Sequence, residues 1–187
     1  MTNFPDLKDL IHGIDSQIET IEDSVKSNSF GSAPEAMAKY ILVKIGSRSL
    51  AIAIDSLAEV GGVPKITFLP NLPDWILGIM NIRSEIISMV DFAGFLKEEQ
   101  VRVRGEKKLV VLRNEKMKVG IGVDVIVATV TKNLSEIQIC SGSTESLLAK
   151  DLFLEEFMVD GVSYSILDVQ KFLTHPRLVE FSGEGLV

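Results

Sequence analysis

The sequence has few of the residues on which reactive or cross-linked sites depend. Of its 187 residues, one is cysteine and two are histidine. The single cysteine, Cys140, excludes an internal disulfide and is typical of a reducing compartment. Neither His12 nor His175 has a cysteine or a second histidine at metal-ligand spacing, and no nucleotide-binding or hydrolase motif occurs. The sequence therefore predicts no metal, no cofactor and no catalytic centre.

Long apolar runs and basic clusters are also lacking. No stretch of about 18 apolar residues is present, as a membrane-spanning helix would need, and the N-terminus lacks the pattern of a signal peptide. The formal net charge is −7, and the segments richest in Lys and Arg, 102–108 and 113–118, also contain glutamate. This pattern argues against a nucleic-acid groove or a polybasic membrane patch. We predict a soluble, cytoplasmic protein.

The N-terminal part differs from the rest of the chain. Between residues 6 and 26, apolar side chains recur at alternating spacings of three and four, which predicts an amphipathic helix over 1–26 with one narrow apolar seam. The seam consists of Leu7, Ile11, Ile14, Ile18, Ile21 and Val25. Two interpretations are open: the seam packs against the rest of this chain, or it mediates self-association or capture of a partner helix. Residues 27–38 are a linker by composition.

From Tyr40 onward the pattern is that of short strands. Hydrophobic residues make up 46% of the sequence, aromatics only 6%, and much of the apolar content lies in β-branched runs. Strand pairs flank polar turns at 46–49 and 114–116 and at Asp160-Gly161, a strong hairpin signal. Many short strands with little helix between them are typical of small barrels or a sandwich. We predict one mainly β domain over 39–175 and a tail over 176–187.

Two nine-residue segments resemble each other. "SMVDFAGFL" (88–96) and "SILDVQKFL" (165–173) share Ser, Asp, Phe and Leu at matching positions. In each, an Asp follows an apolar strand, and Asp91 and Asp168 are predicted N-caps of short helices. The repeat predicts one structural unit used twice, and hence two similar small β-barrels side by side. As helix caps, the two aspartates need not form a catalytic pair.

A few residues leave a catalytic alternative open. "GIGVD" (120–124) contains two glycines, but its strand pattern makes a phosphate-binding loop a weak interpretation. A small hydrolase or transferase with a site built around Asp124 or Cys140 is the remote alternative. The leading hypothesis from the residues is a module that binds other proteins.

The segment "FLPNLPDWILGIMNIRSEIISMVDF" resembles the central signature of the CheW family, the coupling proteins of bacterial chemotaxis. "SLAEVGGV" (56–63), "VGIGVD" (119–124) and "SILDVQKFL" (165–173) are similar to further segments of that family. The residues that fall on the central signature are Pro70, Asn71, Pro73, Gly78, Asn81, Arg83 and Asp91.

The resemblance implies a fold and a function. The fold is two five-stranded SH3-like β-barrel subdomains with short helices around a shared apolar core. The function is a non-catalytic scaffold that couples chemoreceptors, through the tip of their cytoplasmic hairpin, to the regulatory domain of a CheA-type histidine kinase. An adaptor of a surface-motility (type IV pilus) or other histidine-kinase pathway is the alternative.

The predicted partner-binding residues lie around one hairpin tip. Strands 76–82 and 86–90 should pair and carry Arg-Ser-Glu at their tip into water, where the arginine can offer a planar fork to a carboxylate. An internal ion pair with Glu59 or Glu85 is the alternative role for this arginine. The family usually has Gly where this chain has Ser84, so we expect a turn without positive φ at that position. The predicted site residues are Arg83, Glu59, Asn81, Ser84 and Glu85.

Overall fold

The fold is seen in a computed structural model that describes residues 36–98, 106–140 and 147–180. The predicted N-terminal helix over 1–26, the linker up to residue 35 and the end of the predicted tail lie outside the described residues. Self-association through the N-terminal helix therefore stays a prediction.

The first sheet has six strands in the order β8-β1-β2-β11-β10-β9. Its ladder is antiparallel except where β11 pairs with β2 in parallel. The strands are β1 (Met37–Ile45), β2 (Arg48–Ala53), β8 (Val125–Asn133), β9 (Gln138–Ile139), β10 (Glu155–Val159) and β11 (Val162–Ile166).

The second sheet has five strands in the order β3-β6-β7-β5-β4. It repeats the pattern of the first, because β5 pairs with β7 in parallel and the other pairs are antiparallel. The strands are β3 (Leu57–Gly62), β4 (Ile76–Ile82), β5 (Glu85–Val90), β6 (Lys108–Arg113) and β7 (Lys118–Val123).

Four short α-helices and two 3-10 helices (Ile54–Ser56 and Leu134–Glu136) complete the described part of the chain. The α-helices are α1 (Phe92–Leu96), α2 (Leu147–Leu152), α3 (Val169–Thr174) and α4 (Pro176–Val179). Asp91 and Asp168 stand at the N-cap positions of α1 and α3, as predicted, although of the two only the Asp168 side chain accepts a capping hydrogen bond from its helix. The Asp168 carboxylate accepts a hydrogen bond from the backbone N–H of Lys171 at 2.9 Å, which satisfies one free donor of the first turn.

The predicted repeat is confirmed and extends well beyond the nine residues that revealed it. The N–H of Asp91 donates to the carbonyl of Trp75 at 2.8 Å, and the N–H of Asp168 donates to that of Leu152 at 3.0 Å. Both donors and both acceptors are 77 residues apart in the sequence. Each hairpin, β4–β5 and β10–β11, thus leads into its helix in the same way.

The chain crosses between the two sheets twice. After the hairpin β1–β2 the chain crosses to the second sheet, where β3 pairs with β6. After the hairpin β6–β7 it crosses back at Asp124, and β8 pairs with β1. In the sequence, the strands of the second subdomain, β3 to β7, therefore lie between the two parts of the first.

The apolar side chains form three clusters. Alternate residues of β1 divide between them: Tyr40 and Leu42 line the interior of the first sheet, while Ile41 and Val43 join a larger core shared with the second sheet. Side chains of the helices also pack in the shared core, where Phe172 is in edge-to-face contact with Phe92 and Phe95. This is the shared core that the resemblance implied. The interior of the second sheet is the third cluster.

The glycines of "GIGVD" have a packing role. A Cβ atom on Gly120 would lie 2.1 Å from Cε of Met80, and one on Gly122 would lie 3.1 Å from Cε of Met89. The two glycines thus make room for methionine side chains inside the second sheet. Their spacing reflects alternation along β7 and gives no support to the phosphate-loop interpretation.

Two boundaries and one strand count differ from those predicted. β1 begins at Met37, so the last two residues of the predicted linker belong to a strand, where Met37 pairs with Asn133 of β8. The first sheet has six strands instead of five, because the two-residue β9 pairs with β10. Within the predicted tail, residues 176–179 form α4, in which proline occupies the first turn and His175 accepts a hydrogen bond from Arg177 N–H.

Candidate functional site

The candidate site is the tip of the β4–β5 hairpin together with the part of β3 that faces it. Arg83 and Ser84 form a two-residue turn with φ of 49° and 69°. Two consecutive positive φ values are the signature of a type I′ turn, which matches the twist of the strands. The expectation of a turn without positive φ at Ser84 is therefore wrong. The Asn81 side-chain oxygen accepts a hydrogen bond from Ser84 N–H at 3.0 Å, which helps to hold this turn.

An ion pair joins the tip to a distant edge of the sheet. Nε of Arg83 lies 3.2 Å from Oε2 of Glu59, on β3. Because β3 and β4 are the two ends of the sheet order, this contact shows that the second sheet curls back on itself. The Arg83 side chain remains 83% exposed, whereas that of Glu59 is only 30% exposed. The guanidinium is thus positioned by Glu59 and still accessible from outside.

A second ion pair lies beside the first. Glu85, the first residue of β5, pairs with Lys118, the first residue of β7, and both side chains are partly exposed. The structure thus brings all five predicted site residues to one end of the second subdomain. It also adds Lys118, which the sequence analysis did not single out.

Sequence reasoning missed an exposed apolar residue next to the charged tip. Ile86 is 64% exposed and stands opposite Asn81 in the ladder. The sequence offers two adjacent isoleucines, Ile86 and Ile87, and only the register of β5 decides that Ile87 enters the interior. Phe68 is also largely exposed and follows Thr67, which forms a bridge to Ile79 of β4. We call Arg83, Ser84, Glu59, Glu85, Asn81 and Ile86 the hairpin-tip surface.

A second candidate surface lies where the two crossing strands begin. Leu57, at the start of β3, and Ile126, near the start of β8, are half-buried and pack against the shared core. Val125 and Val127 flank Ile126 in β8 and are exposed. We call Leu57 and Ile126 the crossing-strand surface.

The residues of the catalytic alternative are engaged in other contacts. Oδ2 of Asp124 accepts a hydrogen bond from Gly46 N–H at 2.6 Å and so ties the β7–β8 crossing to the β1–β2 turn. Sγ of Cys140 lies 3.8 Å from Oε2 of Glu156, which also accepts a hydrogen bond from the Ser163 hydroxyl. Among residues 36–98, 106–140 and 147–180, no three His, Cys, Asp or Glu side chains are grouped as metal ligands. In the same ranges no helix is long and apolar enough to cross a membrane.

The comparison with protein families decides the family. Residues 39–177 match the model of the CheW-like domain. The chain belongs to the CheW-like family. This confirms the resemblance noted in the sequence.

Several relatives are similar in sequence at a modest level. The chain is 26% identical over 83 residues to protein PilI of Pseudomonas aeruginosa, a match that covers 44% of this chain and 47% of PilI. It is 24% identical over 100 residues to the chemotaxis protein CheW of Rhizobium meliloti, covering 54% of this chain and 64% of that protein. The matched segments are therefore about half to two thirds of the length of these relatives.

The fold is that of a solved CheW-like protein. The scaffolding protein TtCheW of Thermoanaerobacter tengcongensis superposes with a TM-score of 0.63 at 18% sequence identity, over 71% of this chain and 90% of TtCheW. The likeness at this identity concerns the fold, and it confirms the predicted fold class of two small β-subdomains.

Proposed function

We propose that this chain is a non-catalytic, cytoplasmic scaffold, without a cofactor, that couples chemoreceptors to a CheA-type histidine kinase. The observation that carries the proposal is the CheW-like domain over 39–177, together with an exposed tip that combines apolar and charged groups. The relatives named as chemotaxis proteins and a scaffolding protein support this class of function.

In this proposal the hairpin-tip surface binds the regulatory domain of the kinase. Ile86 offers an apolar anchor that loses contact with water on binding, and Arg83 lies beside it at the polar rim. An apolar centre with a charged rim is the usual anatomy of a specific interface. A carboxylate on the partner could share the guanidinium with Glu59, since the fork of arginine has several donors.

The crossing-strand surface is the place we propose for the receptor. The cytoplasmic hairpin of a chemoreceptor is helical, and an amphipathic helix binds by laying its apolar face in a groove. Leu57 and Ile126 supply apolar side chains that continue the shared core to the surface. The two partners would then use different surfaces of one chain.

The test measures both partners separately and then together. Calorimetric titrations of the full chain with the kinase regulatory domain and with a receptor fragment should each give binding, and kinase autophosphorylation should depend on receptor only when the chain is present. Ile86→Asp should weaken kinase binding at least tenfold and leave receptor binding unchanged. Met158→Asp is the matched control. Met158 is exposed, and in the β10–β11 hairpin it occupies the position that Asn81 occupies in β4–β5. Equal effects of the two variants would contradict the assignment of the hairpin tip.

A surface-motility pathway is the second candidate, because PilI is among the relatives. In both pathways the chain would act as a scaffold, and the two pathways differ in the receptor and kinase that it binds. Parallel titrations against a chemotaxis receptor and kinase and against their pilus-pathway counterparts from the same organism would separate them, since the true partners should bind the more tightly.

A further inference from the structure

The turn at the tip of the β4–β5 hairpin is built from residues that do not favour its conformation. A type I′ turn needs positive φ at both central residues, which Gly, Asn and Asp adopt more readily than other residues. Arg83 and Ser84 nevertheless have φ of 49° and 69°. A further interaction is therefore needed to offset the cost of this conformation at the tip.

The internal repeat supplies a direct comparison. Asp160-Gly161, 77 residues further along the chain, forms the turn of β10–β11 with φ of 49° and 77°. The two turns thus have closely similar φ values, but the second is built from a pair of residues that favours them. The position of Asn81 is taken there by Met158, whose side chain has no oxygen to accept a hydrogen bond. The asparagine is thus present in the hairpin whose turn lacks a glycine.

Asn81 supplies a hydrogen bond that the strand ladder does not. Ile82 and Glu85 are the last ladder pair of the hairpin, so the N–H of Ser84 lies within the turn and outside the ladder. The Asn81 side-chain oxygen accepts a hydrogen bond from that N–H at 3.0 Å. Because the bond joins residues only three positions apart, it restrains the turn directly.

We propose that Asn81 is a positioning residue of the hairpin-tip surface. Its bond to Ser84 holds the turn that carries the Arg83 guanidinium, which lies against Glu59 and is offered to a carboxylate of the partner. Asn81 acts through the turn and not by contact with the partner. The benefit is pre-organisation, since a tip already held in one conformation loses less conformational freedom on binding. This inference rests on the proposed function of the hairpin-tip surface.

A direct contact between Asn81 and the partner is the competing interpretation, because the Asn81 side chain is exposed. The two interpretations differ in what Ser84→Gly should do. Glycine adopts positive φ without strain, so this substitution makes the bond from Asn81 dispensable for the turn. A contact with the partner would keep its value whichever residue forms the turn.

The first test is a double-mutant cycle of binding with the full chain. In calorimetric titrations with the kinase regulatory domain, Asn81→Ala should weaken binding about three- to tenfold, the effect of one lost hydrogen bond. In the Ser84→Gly background the same substitution should weaken binding by less than about 1.5-fold. Met158→Ala, at the equivalent position of the other hairpin, is the matched control and should leave binding unchanged. Equal losses in the two backgrounds would overturn the proposal, since Asn81 would then contact the partner itself.

The second test needs no partner. Amide hydrogen exchange, followed by NMR, should be at least about threefold faster at Ser84 N–H in Asn81→Ala than in the wild-type chain. Exchange at Gly161 N–H should be the same in both proteins, which also shows that the variant is folded. An unchanged rate at Ser84 would overturn the proposal, because the bond would then not hold the turn. A wild-type chain that does not bind the kinase domain would contradict the proposed function, whereas faster exchange at Ser84 in Asn81→Ala would still support the role of Asn81 in the turn.

Discussion

The Arg83 guanidinium at the tip of β4–β5 lies 3.2 Å from the Glu59 carboxylate on β3, at the opposite end of the same sheet. Of the two roles that the sequence left open for this arginine, the internal ion pair with Glu59 is present, and the partner-binding role stays a prediction. The pair closes the sheet, and the large exposure of Arg83 leaves donors for a partner.

Arg83→Ala should separate these roles. An exposed ion pair contributes about 0–1 kcal/mol, so the free energy of unfolding in urea should fall by no more than about 1 kcal/mol. Binding to the kinase regulatory domain should weaken by about 1–3 kcal/mol, the scale of a hydrogen bond to a charged group. Glu59→Gln is the control, because it removes the internal partner and keeps the guanidinium. Loss of the fold in Arg83→Ala would show that the residue is structural.

Gly78→Ala should destabilise the second subdomain strongly. Gly78 has a φ of 135°, and an added Cβ would lie 2.3 Å from the backbone oxygen of Thr67, which has little freedom to move. We expect a loss of at least about 2–4 kcal/mol in thermal or urea unfolding. Gly161→Ala is the matched control: its φ is 77° and no atom lies near the new methyl group, so its cost should be about 1 kcal/mol. Equal losses of stability in the two variants would mean that the contact with Thr67 is not the cause of the destabilisation.

Gly120→Ala should cost less, and a second substitution should recover part of the loss. The new methyl group meets Cε of Met80, the flexible end of a side chain, so we expect about 1–3 kcal/mol. Met80→Leu removes that terminal methyl group and should cost less than about 1.5 kcal/mol alone. In the double variant the two losses should be less than additive, as measured in a double-mutant cycle of urea unfolding. Additive losses would show that the strain in Gly120→Ala does not come from the contact with Met80.

Tyr40 should make the protein less stable at high pH. Burial in the first sheet, and then the negative charge of Glu155, raise the pKa of the Tyr40 hydroxyl above its usual value of 10.0. Because this pKa is raised in the folded state, the stabilising contribution of the neutral Tyr40 hydroxyl is complete below pH 10. That contribution is lost as the pH rises through the folded-state pKa. In Tyr164→Phe, which leaves one tyrosine, ultraviolet titration should show a midpoint above 10. In Tyr40→Phe the alkaline loss of stability should be smaller, and an unchanged loss would contradict this role.

Local patterns predicted much of the fold. Asp160-Gly161 predicted the β10–β11 turn, where φ is positive at both residues. Asp168 predicted the start of α3, and its capping hydrogen bond is present. Turn and cap preferences act between residues a few positions apart, so a sequence records them directly.

The candidate site could be predicted only in part. The family signature located Arg83, Asn81 and Glu59, but the partnership of Lys118 with Glu85 joins strands that are far apart in the sequence. The exposure of Ile86 depends on the register of β5, because one step along a strand turns a side chain from one face to the other. A run of consecutive apolar residues does not record which of them faces inward.

The sequence by itself determined the hairpins, the capped helices, the internal repeat and the membership of the CheW-like family, since these depend on local preferences and on a motif of neighbouring residues. Only the tertiary structure decided that β3 and β8 cross between the sheets, that Arg83 pairs with Glu59, and that Ile86 faces water. Those features arise from strand pairing and packing between distant segments, whose energies depend on the whole fold and not on any short stretch of the chain.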